Sequence, residues 1–99
     1  MNSARVKICG ITRAEDAQAA ARAGAAAIGL VFAERSRRQV SIEQALHICR
    51  GLPPWLGVVG LFMDHKADFV KQAIEQLPLN WLQFHGSEPE EYCQSFRRP

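Results

Sequence analysis

Ala27-Ile28-Gly29-Leu30-Val31-Phe32 is a continuous apolar run, too short for an amphipathic helix and lacking the alternation of a strand that faces water on one side. Such a run suits a parallel strand covered on both faces. Upstream of it, an Ala-rich helical stretch stops at Gly24, a residue suited to a left-handed C-terminal turn, and opens at Thr12-Arg13-Ala14-Glu15, which reads as a capping box. Before that helix, Ala4-Arg5-Val6-Lys7-Ile8 reads as a strand leading into Cys9-Gly10. Downstream, Ser41-Ile42-Glu43-Gln44 is a second capping box, and Gly51-Leu52-Pro53-Pro54 ends its helix because proline lacks the N–H and restricts the residue before it. A strand over Leu56 to Phe62 follows. A helix from about Ala67 to Gln76 then carries Phe69, Val70, Ala73, Ile74 and Leu77 on one face and is closed by Pro78. A last strand over about Asn80 to Phe84 leads through His85-Gly86 to a third capping box, Ser87-Glu88-Pro89-Glu90, and a helix reaching toward Arg97-Arg98-Pro99.

Strand starts near Ala4, Ala27, Leu56 and Asn80 recur about every 25 residues, and strictly alternating strands and helices imply right-handed crossovers and a parallel sheet. No low-complexity tract or linker interrupts the order βαβαβαβα, so residues 1–99 are expected to form a single domain. A complete (β/α)8 barrel takes eight such units and about 250 residues. The expected fold is therefore α/β, the parallel (βα)4 half of a TIM barrel.

The 99 residues are 47% hydrophobic and 22% charged, which excludes a disordered chain. Twelve Lys and Arg against ten Asp and Glu give a net charge of +2, too weak a bias for a nucleic-acid or membrane-surface footprint. The longest apolar run, residues 25–33, is short of the ~18 residues of a membrane span. The start, Met1-Asn2-Ser3-Ala4, has no signal-peptide pattern, so the expected compartment is the cytoplasm. Cys9, Cys49 and Cys93 are odd in number, widely spaced and without a C-x-x-C pair, so free thiols and no metal site are expected.

Side chains alternate along a strand, so Arg5, Lys7 and Cys9 share one face of strand one, with Val6 and Ile8 on the face toward the helices. Gln83 and His85 share a face of strand four, opposite Leu82 and Phe84. In a barrel the polar sets point inward, and Cys9 and His85 reach the C-terminal mouth, where barrel enzymes keep their chemistry. A helix start just beyond Cys9 and a Lys7 neighbour favour a thiolate, which would suit a general base or nucleophile; burial as a small apolar residue is the alternative reading. Cys49 and Cys93 lie on helices and read as packing residues. The loop Arg35-Ser36-Arg37-Arg38 reaches the same mouth, where an Arg fork would hold a carboxylate or phosphate; as a lone charge run it reads first as a solvated loop. No aromatic residues interleave with these arginines as single-strand nucleic-acid binders require. His85 reads as an acid-base group, an orienting donor or a structural histidine.

Val6-Lys7-Ile8-Cys9-Gly10-Ile11-Thr12, Gly29-Leu30-Val31-Phe32 with Ser36-Arg37-Arg38 and Val40-Ser41, Val59-Gly60-Leu61-Phe62, and Leu82-Gln83-Phe84-His85-Gly86 together resemble the phosphoribosylanthranilate isomerase family over essentially the whole chain. The resemblance implies a (β/α)8 barrel of tryptophan biosynthesis. Its reaction is the Amadori rearrangement of N-(5-phosphoribosyl)anthranilate to 1-(2-carboxyphenylamino)-1-deoxyribulose 5-phosphate, with no metal or organic cofactor. By resemblance Cys9 matches the general base and Arg38 the arginine that holds the anthranilate carboxylate, with Lys7, Gln83 and His85 as substrate-binding candidates. Glu34 stands where the family usually has proline, and Asp64 where it often has asparagine. The family's general-acid aspartate, at the end of strand five, and its phosphate site, after strands seven and eight, fall outside these residues. The resemblance thus implies an N-terminal half, inactive alone, whose partners are a phosphoribosyl substrate and either the C-terminal half-barrel or a homo-oligomer contact covering the edges of strands one and four. No nucleic-acid or membrane partner is expected. The alternative is a self-associating half-barrel that binds a phosphosugar-like ligand without turning it over.

Overall fold

The structure, a computed structural model, describes residues 6–96. Its elements are β1 (Lys7–Cys9), α1 (Ala14–Arg22), β2 (Ala27–Val31), α2 (Ile42–Cys49), β3 (Gly57–Phe62), α3 (Ala67–Gln76), β4 (Trp81–Phe84) and α4 (Glu90–Gln94). The four strands form one parallel sheet in sequence order, with Cys9 beside Gly29, Gly29 beside Val59, and Val59 beside Trp81. The expected four-unit alternation and parallel sheet are present. The readings that rest on Ala4, Arg5 and Arg97 to Pro99 lie outside the described residues.

The period of two along each strand sorts the apolar residues into two clusters. Ile28, Leu30, Val58 and Phe62 face the helices and join Ala17, Ala21, Ala45, Ile48, Val70 and Ala73 in the main core. Ala27, Val59 and Leu61, with Val31, form a small second cluster on the opposite, inner face. Small residues bring α1 close to the sheet, whereas the buried Ile48 and Val70 each contribute roughly 1.5–3 kcal/mol by leaving water. Near the C-terminal ends of the strands the core becomes aromatic: Phe32 stacks on Phe62 with centroids 5.1 Å apart, and both meet Phe69 edge-on. At the opposite end of the inner face the indole of Trp81 lies over Gly57, where a Cβ would come within 2.6 Å of the ring, yet Trp81 stays 42% exposed.

Helix ends separate the sound local readings from the unsound. At Ser41 the capping box is complete: Ser41 Oγ accepts from the Gln44 N–H at 3.0 Å, and Gln44 Oε1 accepts from the Ser41 N–H at 2.9 Å. Gly24, at φ 93°, ends α1 as expected, with the Ala25 and Gly24 N–H groups donating to Ala20 and Ala21 carbonyls. The box expected at Thr12 does not form. The helix begins at Ala14 with Arg13 at its cap, which leaves Glu15 one position short of the reciprocal spacing, and Glu15 instead accepts from Arg13 Nη2 at 2.7 Å. The box expected at Ser87 is also absent: Pro89 caps α4, and the Ser87 N–H, which the box would give to Glu90, donates instead to Asp64 as described below.

The outer face of β1 is a further correction. Val6 and Ile8, expected against helices, are 50% and 39% exposed. As an edge strand β1 has helical cover on one flank only, where Ile8 borders Ala19 and Ala20 of α1 and the Ala23 that caps it.

Candidate active site

Cys9 ends β1 with its side chain on the inner face, where it is exposed. The chain then turns at once, because both the Gly10 and Ile11 N–H groups donate to the Gly29 carbonyl, at 3.0 and 3.2 Å. Gly10 adopts φ +80°, a conformation glycine takes without cost. Its missing side chain also leaves a passage that Arg38 fills: a Cβ there would lie 2.6 Å from Arg38 Cδ. The arginine enters from the loop after β2, where its N–H donates to Ser36 Oγ at 3.1 Å, and its Nη1 comes 3.5 Å from the Cys9 carbonyl oxygen. Cys9 and Arg38 are both on the rim of a cleft of about 570 Å³ that Ile8, Asp16, Ala19 and Ala20 also line, on the α1 side of β1.

Lys7 and Gln83 meet on the inner face, with Lys7 Nζ donating to Gln83 Oε1 at 2.9 Å. Three interstrand spacings would set β1 and β4 ~14 Å apart in a flat sheet. The direct bond therefore requires two long side chains leaning over a curved one. His85 follows β4, anchored by its N–H to the Phe62 carbonyl at 2.9 Å, and its side chain borders a smaller cleft of about 320 Å³ with Leu61, Val31 and Ser36. His85 and Cys9 border different clefts, and Leu61 lines that of His85. Arg35 and Arg38 also face different clefts and do not form a single basic surface.

The Lys7 ammonium donates to Gln83 Oε1, and α1 begins at Ala14, five residues beyond Cys9. The neighbourhood of Cys9 is instead the Gly10 turn and the Arg38 stem. Cys49 matches its packing reading, since burial pushes its thiol up to about 11.

Two polar clusters around the mouth were not legible beforehand. His65 accepts from the Met63 N–H through Nδ1 at 3.1 Å, which assigns the ring proton to Nε2, 2.9 Å from the Phe32 carbonyl. The imidazole also stacks on Phe69, and Tyr92 donates its hydroxyl to the His65 carbonyl at 2.5 Å. His65 thus ties the loop after β3 to the end of β2. Asp64, at φ 55°, and Glu88 clasp the next pair of loops. Glu88 accepts from the Asp64 N–H at 2.6 Å and the Gly86 N–H at 2.8 Å, while Asp64 Oδ1 accepts from the Ser87 N–H at 2.7 Å. A histidine next to a strand end and an acidic residue in a helix-start pattern carry no signal that they bind a different loop. Among the described residues, no three His, Cys, Asp or Glu side chains are grouped to hold a metal ion. No described helix is long and apolar enough to cross a membrane.

A family model described as N-(5'-phosphoribosyl)anthranilate isomerase matches residues 6–98. The N-(5'-phosphoribosyl)anthranilate isomerase of Pseudomonas aeruginosa is 52% identical over 99 residues, all of this chain and 47% of the relative. The crystal structure of phosphoribosyl anthranilate isomerase from Thermotoga maritima superposes with a TM-score of 0.89 at 41% identity, over 94% of this chain and 45% of that one. A crystal structure of the isomerase in complex with reduced 1-(o-carboxyphenylamino)-1-deoxyribulose 5-phosphate matches with the same TM-score and identity, over 94% of this chain and 48% of that one. The chain spans about half the length of the curated relatives it matches.

Proposed function

Because the chain belongs to the N-(5'-phosphoribosyl)anthranilate isomerase family, we propose that it supplies the base and the carboxylate grip for an Amadori rearrangement in tryptophan biosynthesis, in the cytoplasm. In that reaction a general acid protonates the ribose ring oxygen of N-(5-phosphoribosyl)anthranilate and opens it to a Schiff base. A base then removes the C2 proton to give an enolamine, which tautomerises to the amino ketose. Cys9 is the base. Arg38 holds the planar anthranilate carboxylate through two parallel N–H···O bonds, for which the guanidinium fork is shaped. Lys7, Gln83 and His85 line the inner face and mouth and bind the rest of the substrate.

The observation that carries this reading is the pairing of Cys9 with Arg38 across Gly10, with Arg38 Nη1 at 3.5 Å from the Cys9 carbonyl. It sets a proton acceptor beside a carboxylate receptor at one strand end. The general acid and the phosphate grip come, in this proposal, from a second half-barrel, so these 99 residues do not turn substrate over alone. A second reading rests on the open edges of β1 and β4 and the apolar inner cluster of Ala27, Val59 and Leu61. Two copies of the chain would cover these surfaces in a non-catalytic assembly that at most binds a phosphosugar-like ligand.

The two readings part in an isomerase assay of the chain with and without the C-terminal half of the Pseudomonas aeruginosa relative, run beside light scattering. The expected result is no turnover alone, turnover with the added half, and loss of kcat rather than a rise in KM on Cys9→Ser. Turnover by the lone chain at the rate of an intact enzyme sinks the division of labour. An inactive dimer that the added half does not rescue favours the second reading.

A further inference from the structure

Gly29 lies beside Cys9 in the sheet and, unlike Gly10, has no positive φ that calls for glycine. What its lack of a side chain provides is space on the inner face. A Cβ at this position would come within 2.8 Å of Cys9 Sγ and 3.0 Å of Leu61 Cδ1. The sulfur of the candidate base therefore occupies the volume that any other residue at 29 would claim. The Gly29 carbonyl meanwhile accepts from both Gly10 and Ile11, fixing the turn that follows the thiol and admits Arg38.

We propose that Gly29 is a positioning residue for Cys9: the absent Cβ sets where the thiol sits, and the carbonyl sets the turn beyond it. The proposal rests on the reading of Cys9 as the base. Adding a methyl group keeps the carbonyl and changes the space alone. The neighbour that gives way is the sulfur, because one torsion moves it, whereas its own Cα lies 3.4 Å away in ordinary contact. Restoring that contact distance requires the sulfur to retreat by ~0.6 Å (3.4 less 2.8) or to change rotamer. Misplacement on that scale costs a proton transfer about a hundredfold in rate, while the sheet and its hydrogen bonds persist.

The test joins this chain to the C-terminal half of the Pseudomonas aeruginosa relative and compares Gly29→Ala, Gly29→Ala with Leu61→Ala, and Cys9→Ser. The expected result for Gly29→Ala is kcat down about a hundredfold and KM within about threefold. The rate of Cys9 alkylation by iodoacetamide, followed by peptide mass, changes about fivefold or more. The double variant relieves only the Leu61 contact and is expected to remain as slow. Unchanged kcat and alkylation in Gly29→Ala, with Cys9→Ser inactive, overturn the positioning role and leave the base standing. A fully active Cys9→Ser removes the base and this proposal with it. Failure of both glycine variants to fold also overturns it, since the space would then be a requirement of packing.

Discussion

Replacing Glu88 tests whether a carboxylate in a helix-start pattern in fact staples two loops of the mouth. In the structure its two oxygens accept from the Asp64 and Gly86 N–H groups at 2.6 and 2.8 Å, and the side chain is half-buried. Hydrogen bonds to a charged acceptor contribute about 1.5–3 kcal/mol each. Both donors here belong to exposed residues, so water replaces much of what is lost, and about 1 kcal/mol per bond is the appropriate scale. Glu88→Ala should then destabilise the chain by about 2 kcal/mol and Glu88→Gln, which keeps one acceptor oxygen, by about half of that. Urea unfolding followed by circular dichroism reads both values, with the slope against urea unchanged because the surface exposed on unfolding is the same. A loss below about 0.5 kcal/mol for Glu88→Ala, the range of neutral surface changes, would show that the clasp adds nothing. A steeper or shallower slope would mean that the effect lies outside the folded loops.

Other expectations follow from the same structure. Ser41→Ala should cost about 1 kcal/mol because it removes a formed cap, whereas Thr12→Ala should stay within about 0.5 kcal/mol because no cap forms there; equal losses in urea unfolding would contradict the cap assignments. Burial holds the Cys49 thiol protonated up to about 11, so the unfolded chain, with an ordinary thiol near 8.5, releases this proton first. That contribution to stability is complete below pH ~8.5 and is lost as pH rises toward about 11, and Cys49→Ala should flatten this part of the urea-midpoint profile. In the complemented enzyme Arg38→Lys should raise KM about tenfold or more, since a point charge cannot form two parallel bonds to a carboxylate; an unchanged KM argues against the carboxylate role.

The fold was legible because its determinants are local. Uninterrupted runs such as Ala27 to Phe32, the stop at Gly24 and the Pro-Pro after Leu52 each specify one element, and their order leaves a parallel sheet as the packing solution. Ser41 was legible for the same reason, since donor and acceptor are three residues apart. Thr12 failed because the helix starts later, with Arg13 at its cap and Glu15 bonded to Arg13, and Ser87 failed because Pro89 became the cap while the Ser87 N–H donates to Asp64, 23 residues away. The inward direction of Lys7, Cys9 and Gln83 could be read from strand alternation. That Lys7 would bond Gln83 depends on sheet curvature, which no short stretch of sequence encodes. His65 was invisible because its partners, Phe32 and Tyr92, lie on other elements.

The indole over Gly57 has an optical consequence. The chain has two tryptophans, so Trp55→Phe leaves a single emitter, Trp81, at the foot of the inner face. Its emission then reports the hydration of the ring at that end of the face. Any body that closes over the sheet, whether a complementary half or a second copy, shifts that light toward the blue as water leaves the ring, which makes association measurable by titration without an attached dye.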